Sequence, residues 1–255
     1  MELTIIGSGT GAPSKTRAYP CTLIKVKDKH LVFDTGPGSL RQLLLAGVTY
    51  ADVDYIYYSH FHPDHSLDLV SFLFAMKYDS PVRTKPLYIT GPCGLHKFHQ
   101  GLVSVYGNTI TPKTFDLHLE EIERGVLTYD GWKITAEPVR HSSQSIGYRI
   151  ESSAGRTIAY SGDTDYCEGI ILLAKNTDLF VLECSFPDDK KTEGHLTPHL
   201  CAQIAQKAQC KKLILTHFYP VCSEAIKNNA NLLAELKIIY DGEIVIAEDF
   251  DRFEI

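Results

Sequence analysis

The sequence has no CxxC pair, no apolar run long enough to cross a bilayer, no excess of basic residues, and no repeat, linker or low-complexity stretch. Each absence closes off a class. The 7 cysteines (Cys21, Cys93, Cys167, Cys184, Cys201, Cys210 and Cys222) are scattered and odd in number. That is the pattern of reduced thiols, not of a disulfide framework or a cysteine-based zinc site. The most apolar stretch, Leu69 to Met76, lies between Asp68 and Lys77 and falls well short of the ~20 residues a transmembrane helix needs. Glu2 and an early Gly7 leave no room for a signal-peptide core. A net charge of -6 disfavours a broad, non-specific nucleic-acid surface, although a local basic groove stays compatible with it. The expectation is a soluble, cytoplasmic protein with no membrane partner.

What is present is an ordinary globular balance: 255 residues, 44% hydrophobic and 22% charged, enough for a sizeable core. Strand signals recur at Leu3–Ile6, Thr22–Lys27, Leu31–Asp34, Asp54–Ser59, Pro86–Thr90, Trp132–Glu137, Ile146–Ile150, Thr157–Tyr160, Asp178–Leu182 and Leu213–Thr216. Helices are expected at Ser39–Ala46, ended by Gly47, and at Leu67–Tyr78, which is apolar nearly all round and reads as buried. A further helix is expected at Thr197–Ala208, with Thr197 as N-cap and Pro198 in the first turn. Leu102 to Glu123 shows no clear period. One mixed α/β domain over residues 1–255 is the economical organisation.

Gly7-Ser8-Gly9-Thr10-Gly11-Ala12 fits a dinucleotide fingerprint, with Asp34 as its acidic partner. The fingerprint works only if a helix opens at the last small residue and meets the pyrophosphate. Pro13 and Pro20 follow, and Thr22 onward alternates as a strand, so a glycine-rich turn is expected instead.

The chemistry is concentrated in His60-Phe61-His62-Pro63-Asp64-His65. It starts where a strand ends, and Pro63 turns the chain. His60 and His62 share a face if the backbone stays extended, while Asp64 and His65 aim elsewhere. Donors offered in two directions suit two metal ions better than one. A dinuclear hydrolytic site also needs a bridging carboxylate and further ligands. His141, Asp163 and His217 each stand at a strand end or just after it, where α/β folds gather catalytic groups.

These residues, together with Gly9–Lys15, Phe33-Asp34-Thr35-Gly36, Ser161-Gly162-Asp163-Thr164, His141 with Gly147-Tyr148-Arg149, Leu215–Phe218 and Ala247-Glu248-Asp249, resemble the metallo-β-lactamase superfamily. Within it they resemble the ribonuclease Z group, over nearly the whole chain. The resemblance implies an α/β four-layered αβ/βα sandwich with two mixed sheets flanked by helices. It implies that His60, His62 and His141 hold one metal, that Asp64, His65 and His217 hold the second, and that Asp163 bridges. Asp34 would orient a ligand imidazole. Glu183 and His195 resemble the family's acidic residue and separate histidine, which act near the leaving group. Two metals can stabilise an attacking hydroxide, but a departing alkoxide still needs a proton, and an imidazolium held by a carboxylate can give it. Asp64 would also orient the nucleophile, and His199 reads as a helix-surface residue.

Ribonuclease Z proper carries a long tRNA-gripping arm between the equivalents of His141 and Asp163. Here only 21 residues separate them, and Ser142 to Tyr160 is filled by two strands and the Gly155 turn, which makes tRNA 3′-end processing a doubtful assignment. The expected activity is hydrolysis of a small or nucleotide-type phosphodiester by a metal-bound hydroxide. Sulfate esters, lactones and thioesters are alternatives, and redox chemistry would need a flavin partner domain absent before Ile255. Two divalent ions are implied; zinc suits the donors, with manganese or iron as alternatives. The resemblance also suggests a homodimer. Residues 66–124 are the natural place for substrate contacts, and Phe72, Phe74, Tyr78, Phe98 and Tyr106 are candidates to line a pocket.

Overall fold

Period-two alternation along the strands dictates two sheets that share one apolar layer. Leu31 and Phe33 point into the layer between the sheets, while Val32 points the other way, under helices. The computed structural model describes residues 1–80 and 82–255. Its strands, in chain order, are β1 (Glu2–Gly7), β2 (Cys21–Val26), β3 (Lys29–Phe33), β4 (Val53–Tyr57), β5 (Leu87–Gly91), β6 (Leu117–Glu121) and β7 (Gly125–Tyr129). They continue as β8 (Trp132–Pro138), β9 (Ile146–Ser152), β10 (Thr157–Tyr160), β11 (Leu179–Glu183), β12 (Lys212–Thr216), β13 (Glu243–Ile246) and β14 (Arg252–Glu254). One 7-stranded sheet runs β14-β1-β2-β3-β4-β5-β6 and the other, also 7-stranded, runs β13-β12-β11-β10-β9-β8-β7. Each mixes parallel and antiparallel neighbours: β3 to β6 run parallel, as do β10 to β13.

The helices are α1 (Ser39–Leu45), α2 (Pro63–Ser66), α3 (Leu69–Tyr78), α4 (Leu95–Tyr106), α5 (Glu168–Ala174), α6 (Pro198–Ala208), α7 (Pro220–Asn228) and α8 (Leu232–Ile239). The layer between the sheets joins Phe33 and Tyr57 to Trp132, Tyr148 and Tyr160. Phe33 stacks on Tyr57 at 5.0 Å and meets Tyr148 edge-on at 5.6 Å, a geometry that aromatic quadrupoles favour. Outside, α1, α3 and α4 cover one sheet and α5, α6 and α8 the other. The result is the expected four-layered αβ/βα sandwich of two mixed sheets.

The chain ends close the structure on itself. The C-terminal strand β14 returns to pair with β1, and the Met1 amino group donates to the Ile255 carbonyl at 2.9 Å.

One local expectation needs revision, one holds with a difference in detail, and one strand is new. The segment Leu67–Tyr78 is not buried all round: α3 starts at Leu69, and Leu67, Phe74 and Tyr78 are 50%, 49% and 55% exposed. Its core stripe is Leu69, Phe72, Leu73 and Met76, so apolar residues on every face do not guarantee cover on every face. Thr197 is the N-cap of α6, and Pro198 opens the helix, but the Thr197 side chain makes no capping bond. Strand β7 was not anticipated. It alternates half-buried and exposed residues at a sheet edge, where weak apolar patterning suffices.

No helix among the described residues is long and apolar enough to cross a membrane.

Candidate metal centre

The strand ends β3, β4, β10, β11 and β12 open onto one mouth, and each delivers a polar side chain there. Extended backbone at His62 (φ -61, ψ 147) keeps His60 and His62 together before Pro63 starts α2. Within 4.8 Å of one another lie donor atoms of His60, His62, His141 and Asp163. Donor atoms of Asp64, His65 and His217 form a second group within the same 4.8 Å span, and those of Asp163, His195 and His217 a third. All seven residues expected as ligands are thus gathered, in the two directions read from the sequence.

Asp163 stands between the two main groups. Its Oδ2 is 3.9 Å from His60 Nε2 and 3.7 Å from His141 Nε2, while Oδ1 is 3.2 Å from both His65 Nε2 and His217 Nε2. One oxygen per group is the arrangement a bridging carboxylate requires. Asp64 Oδ2 lies 3.8 Å from His65 Nε2 and from His217 Nε2.

The donors fit divalent ions on a hydrogen-bond count. His65 donates through Nδ1 to Asp34 Oδ2 at 2.8 Å, and His217 Nδ1 meets Ser185 Oγ at 2.9 Å. That leaves their Nε2 atoms facing each other at 3.2 Å. His141 Nδ1 donates to the Gly194 carbonyl at 2.9 Å, and its Nε2 faces His62 Nδ1 at 3.1 Å. Neutral imidazoles with one nitrogen engaged in this way turn lone pairs toward one another. Two further atoms, His60 Nε2 and Asp163 Oδ1, are buried without a hydrogen-bond partner. A cation between the lone pairs resolves all of these conflicts, and buried orphaned polar atoms are otherwise costly.

The electrostatics agree. Burial opposes charge on Asp163, but His217, His65 and His60 hold its pKa well below the usual carboxylate range. Burial also opposes charge on His65, yet Asp163 and Asp34 raise its pKa well above that of a free imidazole. His60 moves the other way, pushed well down by burial and then by His65. Asp163 and Asp34 thus favour positive charge at the heart of the imidazole cluster, the place a bound cation would take.

Behind the donors runs a layer that fixes them. Asp34, fully buried, accepts from Ser59 N at 2.8 Å, Ser59 Oγ at 2.7 Å, His65 Nδ1 at 2.8 Å and Tyr160 Oη at 2.6 Å. Glu183, 1% exposed, accepts from His195 Nδ1 at 2.9 Å, Ser185 Oγ at 2.6 Å, Thr164 N at 2.9 Å and Leu196 N at 3.1 Å. His199 lies on the surface of α6 and pairs with exposed Asp188 at 2.7 Å.

Sequence reasoning missed Ser185 and Asp165. Ser185 lies just past the end of β11, and its contacts with His195 and His217 reach across the fold, so no strand period marks it. Asp165 gave no signal, because its role is long-range. Its Oδ2 accepts from Gly194 N at 3.0 Å and from Lys191 Nζ at 2.8 Å, pinning the loop that carries His195. Gly194 itself sits at φ +83, with room for a Cβ only 3.1 Å from His141 Nδ1. We expect Asp165→Ala to weaken metal binding about tenfold through the loosened Gly194–His141 bond, since indirect supports of this kind matter to ligand affinity. Competition against a chromogenic chelator measures this, and unchanged affinity would mean that the loop holds its place without Asp165.

The glycine-rich N-terminal segment is a turn, with no helix following it. A Cβ on Gly9 would approach the Ala18 carbonyl to 2.9 Å, so glycine serves close packing of this loop's two limbs, not a pyrophosphate.

Facing sheets with imidazole and carboxylate donors collected at one mouth are the frame of a metal-dependent hydrolase. The chain belongs to the β-lactamase superfamily, whose domain model matches residues 29–218. It is 28% identical to ribonuclease Z of Methanothermobacter thermautotrophicus over 269 residues, covering 85% of this chain and 86% of that one. It is 24% identical to ribonuclease Z of Archaeoglobus fulgidus, covering 100% of this chain and 97% of the relative. The crystal structure of the metallo-β-lactamase fold protein YhfI from Bacillus subtilis superposes with a TM-score of 0.83 at 26% identity, covering 100% and 99% of the two chains.

Proposed function

We propose that the chain is a dinuclear metal-dependent phosphodiesterase acting on small or nucleotide-type phosphodiesters. The observation that carries this reading is the pair of donor groups sharing Asp163, with the Glu183–His195 pair beside them. Relatives named ribonuclease Z support phosphodiester chemistry. His60, His62 and His141 would hold one ion, Asp64, His65 and His217 the other, and Asp163 both; zinc suits this His-rich set. When bound, two such ions supply Lewis acidity toward a phosphoryl oxygen and lower the pKa of water.

The chain's own groups do the rest. Asp64, at the mouth of the site, orients the attacking water. Glu183 fixes His195 through Nδ1, which leaves Nε2 to give a proton to the departing oxygen. Burial opposes charge on His195, but the hydrogen bond and the charge of Glu183 outweigh it and raise the pKa. That shift favours the protonated form that donation requires. The Gly11 Cβ position lies 3.2 Å from Asp64 Oδ2, so the N-terminal loop borders the site. The same loop helps line a cavity of about 690 Å³ whose walls mix Lys15, Arg17 and Arg41 with Glu248 and Asp249.

The arm of the tRNA-processing enzymes has no counterpart between His141 and Asp163, where β9 and β10 form a hairpin with Gly155 at φ +74. The alignment with the Archaeoglobus relative is also longer than this chain, 308 against 255 residues, so that relative carries segments missing here. Both facts favour a compact phosphodiester over tRNA. A homodimer and a cytoplasmic location complete the reading; the apolar residues exposed on α3 and α4 and the free thiols support them.

The test is metal analysis coupled to hydrolysis of bis(p-nitrophenyl) phosphate, with His62→Ala alongside. About two ions per chain and activity lost in the variant are expected. Two ions with no activity would move the assignment to another ester class. For His195→Ala, hydrolysis of alkyl leaving groups should fall by about 10²–10⁴-fold, with p-nitrophenyl esters far less affected. Equal losses on both substrate types would remove His195 from proton donation.

A further inference from the structure

Phe186 and Tyr219 are half-buried aromatics that belong to none of the three apolar clusters of the molecule. Their rings stack on each other at 4.6 Å and 20°. Both border His195: Phe186 lies edge-on at 5.6 Å and Tyr219 at 6.1 Å, centroid to centroid. Tyr219 also stands 6.4 Å from His217. Neither ring is loosely hung. Phe186 N donates to the Leu196 carbonyl at 3.2 Å and Tyr219 N to the Ser185 carbonyl at 3.3 Å, and Pro220 begins α7 directly after.

Large rings that are neither core nor free surface, held rigidly beside the proton donor, form a wall along which a leaving group must depart. An alkyl chain gains little there, whereas a planar ring can stack on or meet the wall edge-on. We propose that Phe186 and Tyr219 form a leaving-group subsite selecting phosphodiesters whose departing arm carries a planar ring. The inference rests on the reading of His195 as the leaving-group acid. The ring is that of a nucleobase or of an aryl group, and the experiment separates the two.

Two pairs of ligands for the metal-loaded protein serve as probes: phenylphosphonate against methylphosphonate, and thymidine 3′-monophosphate against 2-glycerol phosphate. Dissociation constants come from calorimetry, so an enzyme inactive on every phosphodiester, which would sink the proposed function, still leaves this measurement intact. Within at least one pair the ring-bearing member should bind about tenfold tighter, the worth of one stack. Preference in the first pair alone assigns an aryl group, and in the second a nucleobase. Tyr219→Leu and Phe186→Leu should each bring the ratio toward one, while Tyr219→Phe restores it. A wild-type ratio near one in both pairs, which needs no variant to fold, overturns the proposal. So does a ratio that both leucine variants leave unchanged.

Discussion

Asp163→Asn is expected to empty both halves of the centre at once and to lower phosphodiester hydrolysis on the order of a thousandfold, the scale of removing one partner from a buried charge cluster. The reason is geometric. Each carboxylate oxygen serves a different imidazole group: Oδ2 faces His60 and His141, and Oδ1 faces His65 and His217. An amide offers a single acceptor oxygen and brings an N–H₂ toward nitrogens that need a cation. The side chain is only 3% exposed, so water cannot make up the lost charge. Metal content and turnover, measured on the same preparations, check this. A variant that keeps two ions would show that the groups bind independently and that Asp163 bridges nothing.

Asp34→Ala should instead act first on stability. Four donors converge on Asp34: Ser59 N, Ser59 Oγ, His65 Nδ1 and Tyr160 Oη. Stranding buried donors costs about 1–3 kcal/mol each, so a loss of roughly 3–5 kcal/mol is expected even after partial relaxation. For a chain of this size that lowers Tm by about 10 °C. The backbone adds to the loss, because Asp34 lies at φ +58, a conformation that aspartate tolerates better than alanine. Asp34→Asn separates the two roles. It keeps one acceptor, should melt closer to wild type, and should still lose metal affinity 10- to 100-fold because the orientation of His65 is weakened. Thermal melts of metal-free protein, paired with chelator competition, distinguish these outcomes. A metal-free Asp34→Ala protein as stable as wild type would contradict the account.

The centre was legible in the sequence to the extent that its donors are local or stand at strand ends. His60 to His65 announce themselves within one turn of chain, and His141, Asp163 and His217 follow strand signals whose positions were readable. Asp34 was reached through the family resemblance, since a polar residue ending a strand gives no such signal by itself. Residues that work through distant backbone were not readable. Asp165 acts on Gly194, and Ser185 joins Glu183 to His195 and His217; no local pattern encodes such contacts. Along α4, Leu95 is the only fully buried residue, so the apolar period that betrays a helix was blurred from Leu102 onward. The aromatics expected to line a pocket also divided. Phe72 is core, Phe74, Tyr78 and Tyr106 are exposed, and Phe98 stacks on Phe61 at 4.9 Å. Exposure is a tertiary property, and composition alone does not set it.

The donors of the centre are dealt out along most of the chain, from the first sheet at residues 60–65 to the end of β12, and the first sheet is itself closed by the last strand. This sets an order on biosynthesis. A nascent chain interrupted before residue 163 displays the early histidines with no shared carboxylate to organise them, and one interrupted before residue 217 lacks a donor of the second group. The first donor group is therefore complete only once the chain has reached residue 163, and the second only at residue 217.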